Sequence, residues 1–247
     1  MYAIKKVLFI VALVTVAAAQ SPDPPLSDSR LTVHTLVRED IFAGWMTDDM
    51  ERFSRGEKNI DLLLEKRPLE KASLLAWKAG AAFYRAVRAH ESNRSDEFQK
   101  YYRQGLDLQA QARQVGPMDP GAAAVNGGTF VFLGDRLPKE YRAAAWSQAY
   151  DSYKLLWRFQ GSAVDQLPVH LRGELLAGLA QAAQRTGRNE ESAQYIDKIL
   201  AVLGGTPYES VAKNWKANPA SAANSSLACM TCHNAGRLGA RLSALNK

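Results

Sequence analysis

The chain has 247 residues, 47% of them hydrophobic and 23% charged, a formal net charge of +6 and only two cysteines. Its basicity is confined: Lys5 and Lys6 lie at the start, no acidic residue follows Glu209, and Lys213, Lys216, Arg237, Arg241 and Lys247 leave residues 20–209 at about −1. That placement, without interleaved aromatics, excludes a nucleic-acid-binding surface, and no apolar run beyond the first 19 residues is long enough to span a membrane.

Taken in order, residues 1–19 read as a secretory signal peptide: a positive start, an apolar run from Val7, and Ala17-Ala18-Ala19 before a cut predicted after Ala19. Residues 20–37, with Ser21-Pro22-Asp23-Pro24-Pro25, read as an extended lead. About 228 residues remain, enough for one elongated domain or a helical array. High Ala and aliphatic content with scarce β-branched runs predicts an all-α fold.

From Asp40 the period is helical. Ile41, Phe42 and Trp45, a polar break at Thr47-Asp48-Asp49, then Met50, Phe53, Ile60 and Leu63 predict two short amphipathic helices before Pro68. Leu74, Trp77, Ala81, Tyr84 and Val87 give the next helix its broad apolar face. A partner helix is predicted from Asp96 to Val115, stopped by Gly116-Pro117. Gly121 to Asp135 is ambiguous, since Ala122-Ala123-Ala124 favours helix and Asn126-Gly127-Gly128 interrupts it. A further helix is predicted from Pro138 to Phe159, and Pro168 starts the next.

Leu175 to Gly205 carries Leu176, Leu179, Ala180 and Ala183, a turn at Gly187, then Ala193, Tyr195, Ile199 and Leu200. Small residues at a helix crossing, a glycine in the turn and an apolar face on both helices resemble one tetratricopeptide repeat of about 34 residues. Trp77, Gly80, Ala81 and Tyr84 echo the first-helix positions more loosely. The resemblance implies an array of antiparallel helical hairpins, expected over 38–206. A short helix (Tyr208 to Lys216) and a small polar linker follow within 207–228.

The last segment, 229–247, opens with Cys229-Met230-Thr231-Cys232-His233. Two thiols one helical turn apart can each add to a haem vinyl group while the adjacent imidazole ligates the iron, which makes C-x-x-C-H the attachment pattern of a covalent c-type haem. A thioredoxin-like dithiol would need a βαβ context, a zinc site would need a fourth ligand, and a structural disulfide leaves His233 unexplained. Resemblance to c-type cytochromes also implies export, in keeping with the leader. Fourteen residues follow His233, none of them Met or His, so the tail cannot wrap the haem. This placement resembles cytochrome c′, whose motif lies in a last helix with a basic residue four positions on, as Arg237 is here. That family's iron is often five-coordinate, and the resemblance covers only these last residues. A sixth ligand would come from the body or a partner. His170 is the candidate, with His34, His90, Met46, Met50 and Met118 behind it; Met230 lies inside the attachment loop.

No nucleophile, paired carboxylates or metal cluster points to an enzyme. The sequence therefore predicts an exported monohaem electron carrier with one haem c, docking an acidic redox partner. The alternative is a tetratricopeptide-like module that grips a protein partner in its groove, with the haem or a C-x-x-C disulfide as sensor or tether.

Overall fold

The computed structural model describes residues 33–219 and 221, with side chains from residue 37 onward. Among them are nine α-helices and no strand: α1 (Val33–Thr47), α2 (Met50–Lys66), α3 (Lys71–Glu91), α4 (Ser95–Val115), α5 (Pro120–Leu133), α6 (Lys139–Gln160), α7 (Val169–Arg185), α8 (Asn189–Val202) and α9 (Pro207–Ala217). Each odd-numbered helix up to α7 packs antiparallel on its successor as a hairpin, and α3 lies against α1 and α5, as α5 does against α7. The result is an all-α array of helical hairpins with α9 packed on α8. No described helix is long and apolar enough to cross a membrane.

The helix boundaries follow local chemistry. Asp49 caps α2 by accepting from the Arg52 amide, and Asp119 caps α5 by accepting from the Ala122 amide at 2.6 Å, with Pro120 at the first helical position. Two hairpin turns share one design. Asn93 (φ 57°) and Gly187 (φ 76°) occupy the left-handed region, and the next amides, Arg94 and Arg188, donate to the Ala89 and Ala183 carbonyls. Equivalent turns joining α3 to α4 and α7 to α8 are what a repeated hairpin requires.

The core runs through α3, α5 and α7, which bury residues on almost every side because their neighbours cover them. Ala180 is 1% exposed at the α7–α8 crossing, where its carbonyl accepts from Ser192 Oγ at 2.8 Å.

Two expectations are corrected. The extended lead over 20–37 does not hold at its end: residues 33–37 are the first turns of α1, and the rest lies outside the described residues. Asn126-Gly127-Gly128 does not interrupt a helix but sits buried inside α5. A Cβ on Gly127 would stand 2.8 Å from the Tyr153 ring, and one on Gly178 of α7 would stand 2.2 Å from it. The phenol of α6 is thus lodged between two glycines, and their missing side chains are the slot. The short helix expected over Tyr208 to Lys216 is α9, and it packs into the array with Tyr208, Ala212 and Trp215 buried in the common core.

Candidate functional site

Cys229, Cys232 and His233 lie outside the described residues, as do Arg237, Arg241 and most of the polar linker. The other candidates are scattered. Met46 and Met50 are half-buried and pack on the core at the α1–α2 turn, and Met118 is half-exposed before α5. The ring of His90, in the last turn of α3, lies 5.9 Å from that of Phe98. His34 lies on α1, outside the described side chains.

His170 stands in the first turn of α7, where its Nε2 is 3.4 Å from Oε2 of Glu174 one turn on. Glu174 occupies a spot that α5 leaves open: a Cβ on Gly128 would come 3.7 Å from its Oε1 and 3.9 Å from the Tyr153 hydroxyl. Burial pushes the Glu174 carboxyl up to about 7, and the positive charge of Arg38 on α1 pulls it back down. Arg38 also lies 3.6 Å from Glu39, which is 7% exposed. Residues from α1, α5, α6 and α7 therefore meet around a carboxyl that burial biases toward its protonated form, beside an imidazole.

A second charged cluster joins α6 to α8. Glu191 accepts from Tyr150 (2.6 Å), Lys154 (2.6 Å) and Tyr195 (2.8 Å), and Lys154 also donates to the Tyr195 hydroxyl at 3.2 Å. Partial burial would raise the Glu191 carboxyl, but three donors outweigh it and hold the group down at about 2. Burial, helped by the bond to Glu191 and opposed by Lys154, pushes the Tyr195 hydroxyl up to about 12, and the bonds to Glu191 and Tyr195 outweigh burial to hold the Lys154 ammonium above its usual range. The guanidinium of Arg188 lies 4.1 Å above the Tyr150 ring. Every donor is matched, which marks this cluster as a clamp between hairpins.

Between α4 and α6 the structure is open. Their first turns meet through Phe98, Tyr102 and Tyr141, with Tyr102 and Tyr141 ring centroids 4.6 Å apart. Beyond them a cleft of about 660 Å³ separates the two helices, floored by Ala122, Ala123 and Asn126 of α5. No three His, Cys, Asp or Glu side chains among the described residues are grouped to hold a metal ion.

Sequence reasoning singled out His170 but missed Glu174, Glu191 and the cleft. The His170–Glu174 spacing of four was a usable signal for a helical pair; the partners drawn from α1, α5 and α8 had none. No family model, no curated protein and no solved structure matches the chain.

Proposed function

We propose that the chain is an exported c-type cytochrome that carries single electrons, with one haem c on its C-terminal segment and a tetratricopeptide-like array as its body. The observation that carries this reading is the sequence Cys229-Met230-Thr231-Cys232-His233, which holds the only two cysteines of the chain. The donor set fits the group: Cys229 and Cys232 would hold it through two thioethers, and His233 would ligate its iron. Bound there, haem c supplies a one-electron ferric–ferrous couple.

The chain's own residues would supply orientation and partner choice. Lys213 and Lys216 pair with Glu209 and Asp197, so the docking charge falls to Arg237, Arg241 and Lys247. An acidic redox partner suits them, with binding that weakens as salt rises. His170, whose Nε2 lies 3.4 Å from Oε2 of Glu174, would be the candidate for a second iron ligand.

The open α4–α6 cleft favours a second reading, in which the array is a binding module and the haem, or a Cys229–Cys232 disulfide, is its sensor or tether. Coexpression with haem-attachment machinery, followed by haem staining of the denatured chain, tests the first. Stain should comigrate with the polypeptide and vanish in Cys229→Ser/Cys232→Ser. A six-coordinate low-spin spectrum supports electron transfer, whereas a five-coordinate high-spin spectrum that shifts with carbon monoxide supports sensing. A stain-free chain with the two cysteines joined as a disulfide would overturn the haem reading. Mass spectrometry of the secreted form should find an N-terminus near Gln20.

A further inference from the structure

Helices that alternate in direction bring the connections between hairpins to one edge of the array and the turns within hairpins to the other. The two edges differ in chemistry. Among the described residues, the large hydrophobic side chains left exposed include Leu69, Val115, Met118, Phe159, Val169 and Leu171, each within a helical turn of a connection between hairpins. Leu69 is 98% exposed, so the fold gains nothing from its side chain. At the opposite edge Arg88 pairs with Asp48, Arg136 with Glu91 and Arg185 with Asp135, and no exposed large hydrophobic is found there among the described residues.

The first two connections touch. A Cβ on Gly116 would stand 2.8 Å from that of Ala72, and Ser73 Oγ donates to Asp119 at 2.9 Å. The third follows across the cleft, whose lining runs from Gly116 and Pro117 to Leu155, one turn before Phe159. Each connection also carries a free cation: Lys66, Lys71, Arg113 and Arg158 are exposed and form no ion pair among the described residues. The carboxylates nearby are mostly engaged, Glu70 by Arg67, Asp119 by Ser73 and Asp165 by Lys198, which leaves Glu65 against those four. The edge is apolar and positive together.

We propose that this edge rests on an anionic lipid surface, with Leu69, Met118 and Phe159 entering the headgroup boundary and Lys66, Lys71, Arg113 and Arg158 meeting lipid phosphates. A protein partner fits the pattern less well, because the buried centre of a protein interface is depleted in lysine and calls for one continuous patch. Here the apolar groups are spaced along three connections, each with its own cation. A bilayer boundary accepts separate shallow insertions. The C-terminal motif takes no part, so the proposal stands whether or not the chain carries haem.

Flotation of the full-length protein with vesicles tests it, with phosphatidylcholine alone in one arm and an equimolar mixture with phosphatidylglycerol in the other. The protein should float with the mixed vesicles, stay behind with phosphatidylcholine, and be released as salt rises. Leu69→Ser should weaken binding about tenfold while the melting temperature stays level, since the side chain has no packing to lose. Lys71→Gln should weaken it about fivefold. Lys139→Gln removes an exposed cation at the opposite edge and should leave binding unchanged, which separates docking through this edge from diffuse attraction to a basic chain. No flotation with the mixed vesicles, binding unchanged in both Leu69→Ser and Lys71→Gln, or equal weakening by Lys139→Gln and Lys71→Gln would overturn the proposal. Sedimentation velocity reads the competing occupant: self-association that Leu69→Ser abolishes, without vesicle binding, would assign the edge to a second copy of the chain instead.

Discussion

Two faces of α6 meet their neighbours on opposite terms. Toward α8, Tyr150 and Lys154 reach Glu191 and Tyr195, and every polar atom of that contact has a partner. Toward α4, Gln148, Asp151, Ser152 and Leu155 line an open cleft. The same helix thus seals one hairpin boundary and leaves the other accessible along most of its length. Stacking of α3, α5 and α7 makes the array, but the side chains on α6 decide where it is closed.

The comparison breaks most severely at the glycine slot. Gly178→Ala would drive a methyl group into the fully buried Tyr153 ring, and denaturant titration should show a loss of about 3 kcal/mol. A change near zero would mean that α7 can move away from α6 freely.

Two carboxyls on the closed side give opposite pH responses. Glu174 has a folded value raised from 4.5 to about 7, so the native state holds the proton more tightly than the unfolded chain does. Its effect favours folding below pH 4.5 and is lost as pH rises through 7. Glu174→Gln should remove that slope and raise stability at pH 8 by about 2 kcal/mol, reduced from the full linkage value because the side chain is partly exposed. Glu191 runs the other way, from 4.5 down to about 2. Its contribution is complete above 4.5 and disappears as pH falls towards 2, and Glu191→Gln should cost about 1–2 kcal/mol at pH 7 with little effect at pH 2. Thermal melts across the pH range separate the two.

The smallest effect belongs to the open side. Ser152→Ala touches no partner across the cleft and should change stability by less than about 0.5 kcal/mol. A loss as large as that of Glu191→Gln would show that the cleft is a structural contact and erase the contrast.

Much of this array was readable from single residues. The Asp48-Asp49 break, the Gly116-Pro117 stop, the Pro168 start and the Gly187 turn act through their own backbones, and the structure ends or begins helices within a residue or two of each. Asn126-Gly127-Gly128 misled for the same reason. Glycine is a poor helix former locally, and the ring that makes it necessary arrives from α6. The start of α1 was missed although Val33, Leu36, Val37 and Ile41 keep a helical spacing, because the Pro-rich run before them read as an extended lead. The site divides along the same line. Cys229, Cys232 and His233 form a local motif and are legible at once, whereas Glu174 gains its character from Arg38 and Gly128, which only folding brings near.

Tyr153 also has a bearing on how the molecule opens. In an array whose hairpins touch only along their flanks, each unit can fray at a cost set by its own stability and one interface. Here a side chain from α6 is shared by α5 and α7, so withdrawing either helix uncovers the same buried ring. Hydrogen exchange should therefore find the amides of α5, α6 and α7 protected as one cooperative block, with no intermediate in which the third hairpin persists after the fourth has melted.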